Sequence, residues 1–243
     1  MLIVGLTGGI ASGKSTVSRT LQDKHHLIVV DADQIAKDVV QPGKPAYNQV
    51  VNTFKDQVPD IVDEETKALN RAALGRAVFG NKDNLKKLNS IVHPAVKKEI
   101  GWQIIKAFFQ FQKLVILDVP LLFEAGLNVV CGKIITVSCD PSIQLERLLL
   151  RNPELSQQDA EKRISSQTSN AERNLRSDIV LNNDGSLQDL QDAIEVGLTE
   201  IMPSIFWTIV NFIPGVCVLT SAYTFATRAT IDTYKRSKLR KES

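Results

Sequence analysis

Residues 8–16 read Gly-Gly-Ile-Ala-Ser-Gly-Lys-Ser-Thr. From Gly8 to Ser15 they satisfy G-x-x-x-x-G-K-[ST], the spacing of a phosphate-binding loop. Glycine lets the backbone curl until successive N–H groups face one point, and a helix N-terminus behind them adds its positive end. Lys14 supplies a mobile cation for the β- and γ-phosphates, and Ser15 a hydroxyl for Mg²⁺. A glycine-rich surface turn can match the same pattern, so the setting matters. The apolar run MLIVGLT (1–7) precedes the loop, and a stretch of helical character from Lys14 to about Asp23 follows it. Gly8, Gly9, Ile10, Ala11, Ser12, Gly13, Lys14, Ser15 and Thr16 are therefore expected to cradle a nucleoside triphosphate. No N-K-x-D guanine-reading motif occurs, which argues against a GTPase. The other constellations favour a small-molecule kinase.

The first of these is VVDADQIA (29–36). Ligands of α/β sheets gather at the carboxyl ends of strands, where Asp31 and Asp33 should stand. A carboxylate there can take a proton from an attacking hydroxyl or hold a metal. It can equally cap the helix that follows, and position alone leaves both readings for Asp33.

The elements that must position these groups are legible as apolar runs. LIVGLT (2–7), LIVVD (27–31), KLVILDV (113–119) and KIITVS (133–138) are short and rich in Val, Ile and Leu, with a weaker DIVLN at 178–182. Such runs suit strands buried on both faces of a parallel sheet. Helical periods alternate with them. Val96, Ile100, Ile104, Phe108 and Phe111 make one apolar face, and Leu145, Leu148 and Leu149 another after Pro141. The expected fold is α/β, a P-loop NTPase-like parallel sheet of five strands with helices on both faces. Residues 33–112 are nearly all helical in pattern and read as an insert beside the sheet, with a polar loop near 63–67. Residues 150–175, with Arg163 and Arg173, are polar and charged. They are expected to project as a lid rather than pack.

Composition bounds the function. The chain has 243 residues, 43% apolar and 23% charged, with net charge +2. That charge is unevenly spread. Residues 228–243 carry six basic and two acidic side chains, which leaves 23 basic and 25 acidic before them. A slightly acidic body indicates no nucleic-acid partner. Cys131, Cys139 and Cys217 are scattered, odd in number and without a C-x-x-C pair, so neither a zinc site nor a disulfide framework is expected. The N-terminus lacks the basic, apolar or Arg/Ser-rich features of a secretory or matrix-targeting signal.

Six segments in order then narrow the reading: VGLTGGIASGKSTV (4–17), VDADQIAKDVVQPG (30–43), LNSIVHPAV (88–96), DVPLLFEAGL (118–127), QLERLLLRN (144–152) and RSDIVLNN (176–183). Together they resemble the dephospho-coenzyme A kinases over about residues 1–200. The resemblance implies transfer of the γ-phosphate of ATP, with Mg²⁺, to the ribose 3′-hydroxyl of dephospho-CoA, the last step of coenzyme A synthesis. It implies Asp33 as general base and Lys14 as the phosphate-binding lysine. It implies Arg147 as the arginine that meets the transferring phosphoryl group, with Arg151 a turn later on the ATP side. Without the resemblance, both arginines read as a solvated helix face. His93-Pro94 and Pro120, Leu121, Leu122, Phe123 and Glu124 match the acceptor side, although a lone histidine is also a common structural hydrogen-bonder. Asn182, with Asn183, matches the region that holds the adenine, and is ordinary turn chemistry as well. Asp118 ends KLVILD as a Walker B acid would. A kinase of another nucleoside or nucleotide and a P-loop scaffold associated with other coenzyme A enzymes are the alternatives. The intact Lys14, Ser15, Asp33 and Arg147 speak against the scaffold.

From Ile201 to Thr227 there is no charged residue. At about 1.5 Å per residue, a helix of that run reaches across a bilayer core of about 30 Å. Trp207, Tyr223 and Tyr234 suit the interface, and the basic KRSKLRK (235–241) suits anionic head groups. Pro214-Gly215 in mid-run leaves three forms open: a kinked span, a hairpin bent at Pro214, or an apolar helix folded onto the body. Membrane attachment through residues 201–241 is the expectation. The body would then face the cytosol on the mitochondrial outer membrane, the endoplasmic reticulum or a lipid droplet.

Overall fold

The protein is described by a computed structural model, which covers residues 1–213 and 215–242, with the backbone alone at residues 236 and 239–242. In chain order the elements are β1 (Leu2–Gly8), α1 (Lys14–Asp23), β2 (Ile28–Asp31), α2 (Ala32–Asp38), α3 (Pro45–Phe54), α4 (Arg71–Val78) and α5 (Lys82–Phe109). After these come β3 (Leu114–Asp118), a short 3-10 turn (Leu127–Val130), β4 (Lys133–Ser138), α6 (Pro141–Arg151), α7 (Gln157–Ser165) and α8 (Asn170–Arg176). β5 (Ile179–Asn182), α9 (Leu187–Ile201), α10 (Ile205–Asn211) and α11 (Val216–Glu242) complete the chain. All five expected strands form, each within a residue or two of its apolar run.

Two compact units result, residues 1–29 with 107–243, and residues 30–106. The first carries the parallel sheet, in the order β2-β3-β1-β4-β5, except for the last two residues of β2, which belong to the second. β1 is central, so the loop after it leaves from mid-sheet. Alternate residues Val4, Leu6, Leu114, Ile116, Ile135, Val137 and Leu181 turn to one face, where Val17 and Leu21 of α1 and Leu190, Ile194 and Leu198 of α9 cover them. On the other face Gly5 leaves room for Leu122 and Cys131. A Cβ on Gly5 would stand 2.8 Å from the nearest atom of each. Both faces are covered, which is why β3 is buried at every residue.

The second unit is helical. Val50 and Phe54 of α3, Ala73 and Leu74 of α4, and Val58, Ile61 and Leu69 from the segment between them form its core, against which Leu88, Ile91 and Val92 of α5 pack. Residues 63–67 are the expected loop, closed by a single antiparallel bridge between Val62 and Leu69. Phe111 does not share the apolar face of α5. It lies beyond the helix end at φ 55° and is exposed.

Two expectations are corrected here. Residues 150–175 do not project throughout: Ala160 of α7 is buried, and Arg173 of α8 is 1% exposed. The polarity that suggested a lid belongs in α8 to side chains with buried partners. For the tail, the sequence leaves three forms open. No single helix among the described residues is long and apolar enough to cross a membrane, and the α9–α10 pair that passes by length and composition is bent by 61°. α9 buries Leu190, Ile194, Leu198 and Ile201 in the sheet core. Nor is residue 228 the start of a free basic tail. Arg228 is buried, with its guanidinium on the Cys131 and Gly132 carbonyls and the Asp178 carboxylate. The bend expected at Pro214 lies outside the described residues, as do the side chains of Arg236, Arg240 and Lys241.

Candidate active site

The loop after β1 is built as its glycines require. Gly13 has φ 95°, and a Cβ on it would stand 2.1 Å from Asn183 Nδ2. On Gly9 a Cβ would meet Gln144 Nε2 at 2.7 Å and Arg173 Nη1 at 3.2 Å. Ala11 also adopts left-handed backbone, at φ 60°. The curl leaves the N–H groups of Ala11, Gly13, Lys14 and Ser15 without an acceptor among the described residues. Such a nest at a helix N-terminus is an anion site. Ser15 is exposed beside it, and the buried Ser12 hydroxyl has no partner among the described residues. These donors fit a polyphosphate with its cation.

Side chains from four other segments hold the loop. Ile10 N–H donates to Gln167 Oε1 at 2.9 Å, and its carbonyl accepts from Gln144 Nε2 at 2.7 Å. Asn170 Nδ2 donates to Gln144 Oε1, and Arg173 Nη1 to Asn170 Oδ1. From the other side, Asn183 Nδ2 donates to the Ser12 carbonyl at 2.8 Å, and Arg147 Nη1 to the Asn183 carbonyl at 2.8 Å. Rigid dipoles of this kind need no reorganisation when charge arrives.

Charge is arranged around the same loop. Lys14 Nζ lies 2.6 Å from Asp118 Oδ1, and Asp118, at the end of β3, is buried. Arg173 lies beneath Gly9 as a buried cation. Burial lowers its pKa, while Glu124 and Glu172 oppose that shift. Burial pushes the Glu124 carboxyl up, but hydrogen bonds from Thr168 and the Arg173 charge outweigh it, and the net shift is downward. Among the described residues no three His, Cys, Asp or Glu side chains cluster as a metal site. Burial pushes the Cys131 thiol up to about 12, so it is no nucleophile.

The remaining expected residues divide. Arg147 is half-buried and anchored, whereas Arg151 is exposed on the last turn of α6. Asn182 is exposed, and its neighbour Asn183 is the one that touches the loop. Leu122 and Phe123 are corrected as acceptor contacts. They are 0% and 2% exposed, Leu122 against Gly5 and Phe123 under the Arg176 guanidinium at 4.1 Å. Leu121 and Glu124 are exposed, and the Pro120 carbonyl accepts from Thr7 Oγ1 at 2.7 Å. In the second unit, Asp31 caps α2 by accepting from the N–H groups of Asp33 and Gln34. The Asp33 carboxylate is exposed and does not cap. His93, on α5 beside Pro94, is also exposed, with no hydrogen bond among the described residues.

Comparison with known proteins now decides the family. Residues 2–189 match the dephospho-CoA kinase family model. The chain belongs to the dephospho-CoA kinase family. It is 50% identical over 218 residues to a dephospho-CoA kinase of Saccharomyces cerevisiae, covering 88% of each chain. It is 43% identical over 195 residues to one from Bacillus cereus, covering 80% of this chain and 94% of that one. A solved dephospho-CoA kinase from Campylobacter jejuni superposes with TM-score 0.63 at 26% identity, over 82% of this chain and 96% of that one. α10 and α11 lie beyond residues 2–189, the part that matches the family model.

Sequence reasoning missed Gln144, Gln167 and Asn170. Gln144 left one trace, a glutamine at the edge of the apolar stripe of QLERLLLR, where a buried polar residue implies a partner. For Gln167 and Asn170 no local signal exists.

Proposed function

We propose that this chain transfers the γ-phosphoryl group of ATP to the ribose 3′-hydroxyl of dephospho-CoA, giving coenzyme A and ADP. The observation that carries the reading is the nest of unpartnered N–H groups at residues 11 and 13–15, closed by Lys14 and lying within the family match. The nest and Lys14 bind the β- and γ-phosphates. Lys14 exchanges part of its contact with Asp118 for a phosphate oxygen, and so brings positive charge to the transferring group. Arg147 and Arg151 serve the charge spread over the equatorial oxygens. Asp33 takes the proton of the 3′-hydroxyl as its oxygen attacks phosphorus, and the bond to the ADP oxygen breaks. Ser15 is the ligand this chain offers to Mg²⁺, which when bound neutralises charge on the phosphate oxygens. On the acceptor side, His93, Pro120, Leu121 and Glu124 remain available. On the adenine side, Asn183 takes the place assigned to Asn182.

Membrane association belongs to this proposal too. Ile205, Phe206, Trp207 and Ile209 of α10 and Val218, Leu219 and Tyr223 of α11 are all exposed. An apolar surface of this extent suits a lipid interface, with the body in the cytosol on an organelle membrane. Other coenzyme A enzymes gathered there are the expected neighbours. The deciding experiment measures ATP consumption by the purified chain with dephospho-CoA, adenosine and AMP in turn. Turnover confined to dephospho-CoA supports the assignment. Equal turnover with AMP or adenosine transfers it to another nucleotide kinase.

A further inference from the structure

Beyond the residues of the family model lies a helix whose polar side chains reach toward the phosphate loop in a few hydrogen-bonded steps. Three side chains of α11 grip three consecutive residues at the end of α8. Asp232 takes Arg176 in both hands, with Nε to Oδ1 at 2.7 Å and Nη2 to Oδ2 at 3.1 Å. Lys235 Nζ donates to the Ser177 carbonyl at 3.3 Å. Arg228 is paired with Asp178, whose Oδ2 also accepts from the Ile134 N–H of β4 at 2.7 Å. Arg176 and Arg228 are both buried. Paired, buried guanidinium groups have a narrow choice of geometry, because any displacement leaves a desolvated charge unmatched.

The gripped segment is the one that supplies the walls of the loop. One turn before Arg176 on α8 is Arg173, beneath Gly9, and one turn before that is Asn170, bonded to Gln144. Ser177 Oγ donates to the Arg173 carbonyl at 2.9 Å and pairs with Thr136 Oγ1 of β4. Following Asp178 comes β5, which ends beside Asn183 on the Ser12 carbonyl. Residues 170–183 therefore touch the loop at both ends, and α11 holds them in the middle.

We infer that Arg228, Asp232 and Lys235 are positioning residues of the ATP site, and that α11 is a working part of the kinase rather than an appendage to it. The inference rests on the ATP-binding reading above. Its test uses the full chain with Asp232→Asn, Lys235→Met and, as a control on the exposed side of α11, Leu219→Ser. The readouts are kcat, KM for each substrate, affinity for a fluorescent ATP analogue, and hydrogen exchange at the amides of residues 9–16. Asp232→Asn should raise KM for ATP and the analogue's Kd about three- to tenfold and speed exchange in the loop. Lys235→Met should do the same to a smaller degree, and decides the matter if Asp232→Asn does not fold. Leu219→Ser and the KM for dephospho-CoA should not move. A merely structural role would lower the folded fraction, and with it kcat, at unchanged ATP affinity and loop exchange. That result overturns the inference. A wild-type chain that binds the analogue but leaves dephospho-CoA unphosphorylated overturns the functional reading instead, and leaves this comparison intact.

Discussion

Asp31 and Asp33 stand two residues apart and do different work. Asp31 is committed to two backbone N–H groups at the head of α2, while the Asp33 carboxylate is exposed and uncommitted to the cap. Asp33→Asn should therefore cut kcat by about 10²- to 10⁴-fold with little change in melting temperature or in KM for ATP. Asp31→Ala should do the converse, lowering stability by about 0.5–2 kcal/mol through the lost cap. Steady-state kinetics and thermal melts on the two variants separate the roles, and full turnover by Asp33→Asn removes it as the base. The division between Asp31 and Asp33 was open in the sequence because either residue can cap. Asn182 and Asn183 show the same limit more sharply. Successive side chains of a strand face opposite ways, so one step decides which of two identical residues reaches the loop. Position in a motif fixes the neighbourhood of a side chain, and backbone direction then selects the one that acts.

Strands, and the starts of α1 and α6, could be read from the chain because their causes are local. A doubly covered sheet needs unbroken apolar runs, and Asp140, Ser156, Ser169, Ser186 and Ser204 each cap the helix they precede. The packing of α8 was not legible, since its polar side chains bond to partners 26 to 56 residues away in sequence, the farthest of them on α11. Gln144 is the test of that packing. Gln144→Leu keeps the volume but strips the Ile10 carbonyl of its donor and Asn170 of an acceptor. Stability should fall by about 1–3 kcal/mol, and KM for ATP should rise as the loop loosens. Glu124 ties the α7–α8 link to the turn after β3 through the Thr168 N–H at 3.0 Å. Its pKa is lower folded than unfolded, so its contribution is fully present above the unfolded value and is lost as pH falls through the folded one. The melting-temperature gap between wild type and Glu124→Gln should narrow on acidification through the carboxylate range. A gap that stays constant with pH would show that the ionised form holds nothing.

At the scale of the whole molecule, α11 has two obligations. Its polar side chains from Arg228 to Lys235 are bonded to the sheet-bearing unit, and its first turns, with α10, present apolar side chains to solvent. A membrane-crossing α11 would have to withdraw Arg228 and Asp232 from those bonds, and each charge carried to mid-bilayer costs about 2.5–3.5 kcal/mol or more. An interfacial placement keeps the bonds and buries Phe206, Trp207 and Leu219 among the acyl chains. A truncation at residue 200 is then a poor control for membrane binding, because it removes the grip on α8 along with the apolar surface. Serine substitutions at Phe206, Trp207 and Leu219 spare that grip. The full chain should float with vesicles containing phosphatidylserine, with a blue shift of Trp207 emission measured in a Trp102→Phe background. Alkaline carbonate should release it if the placement is interfacial, because no single helix among the described residues is long and apolar enough to cross a bilayer. The triple variant should stay in solution with kcat and both KM values intact. Wild-type chain that remains in the pellet after carbonate would establish a spanning segment in place of an interfacial one, and wild-type chain that never floats would leave the apolar face to a protein partner.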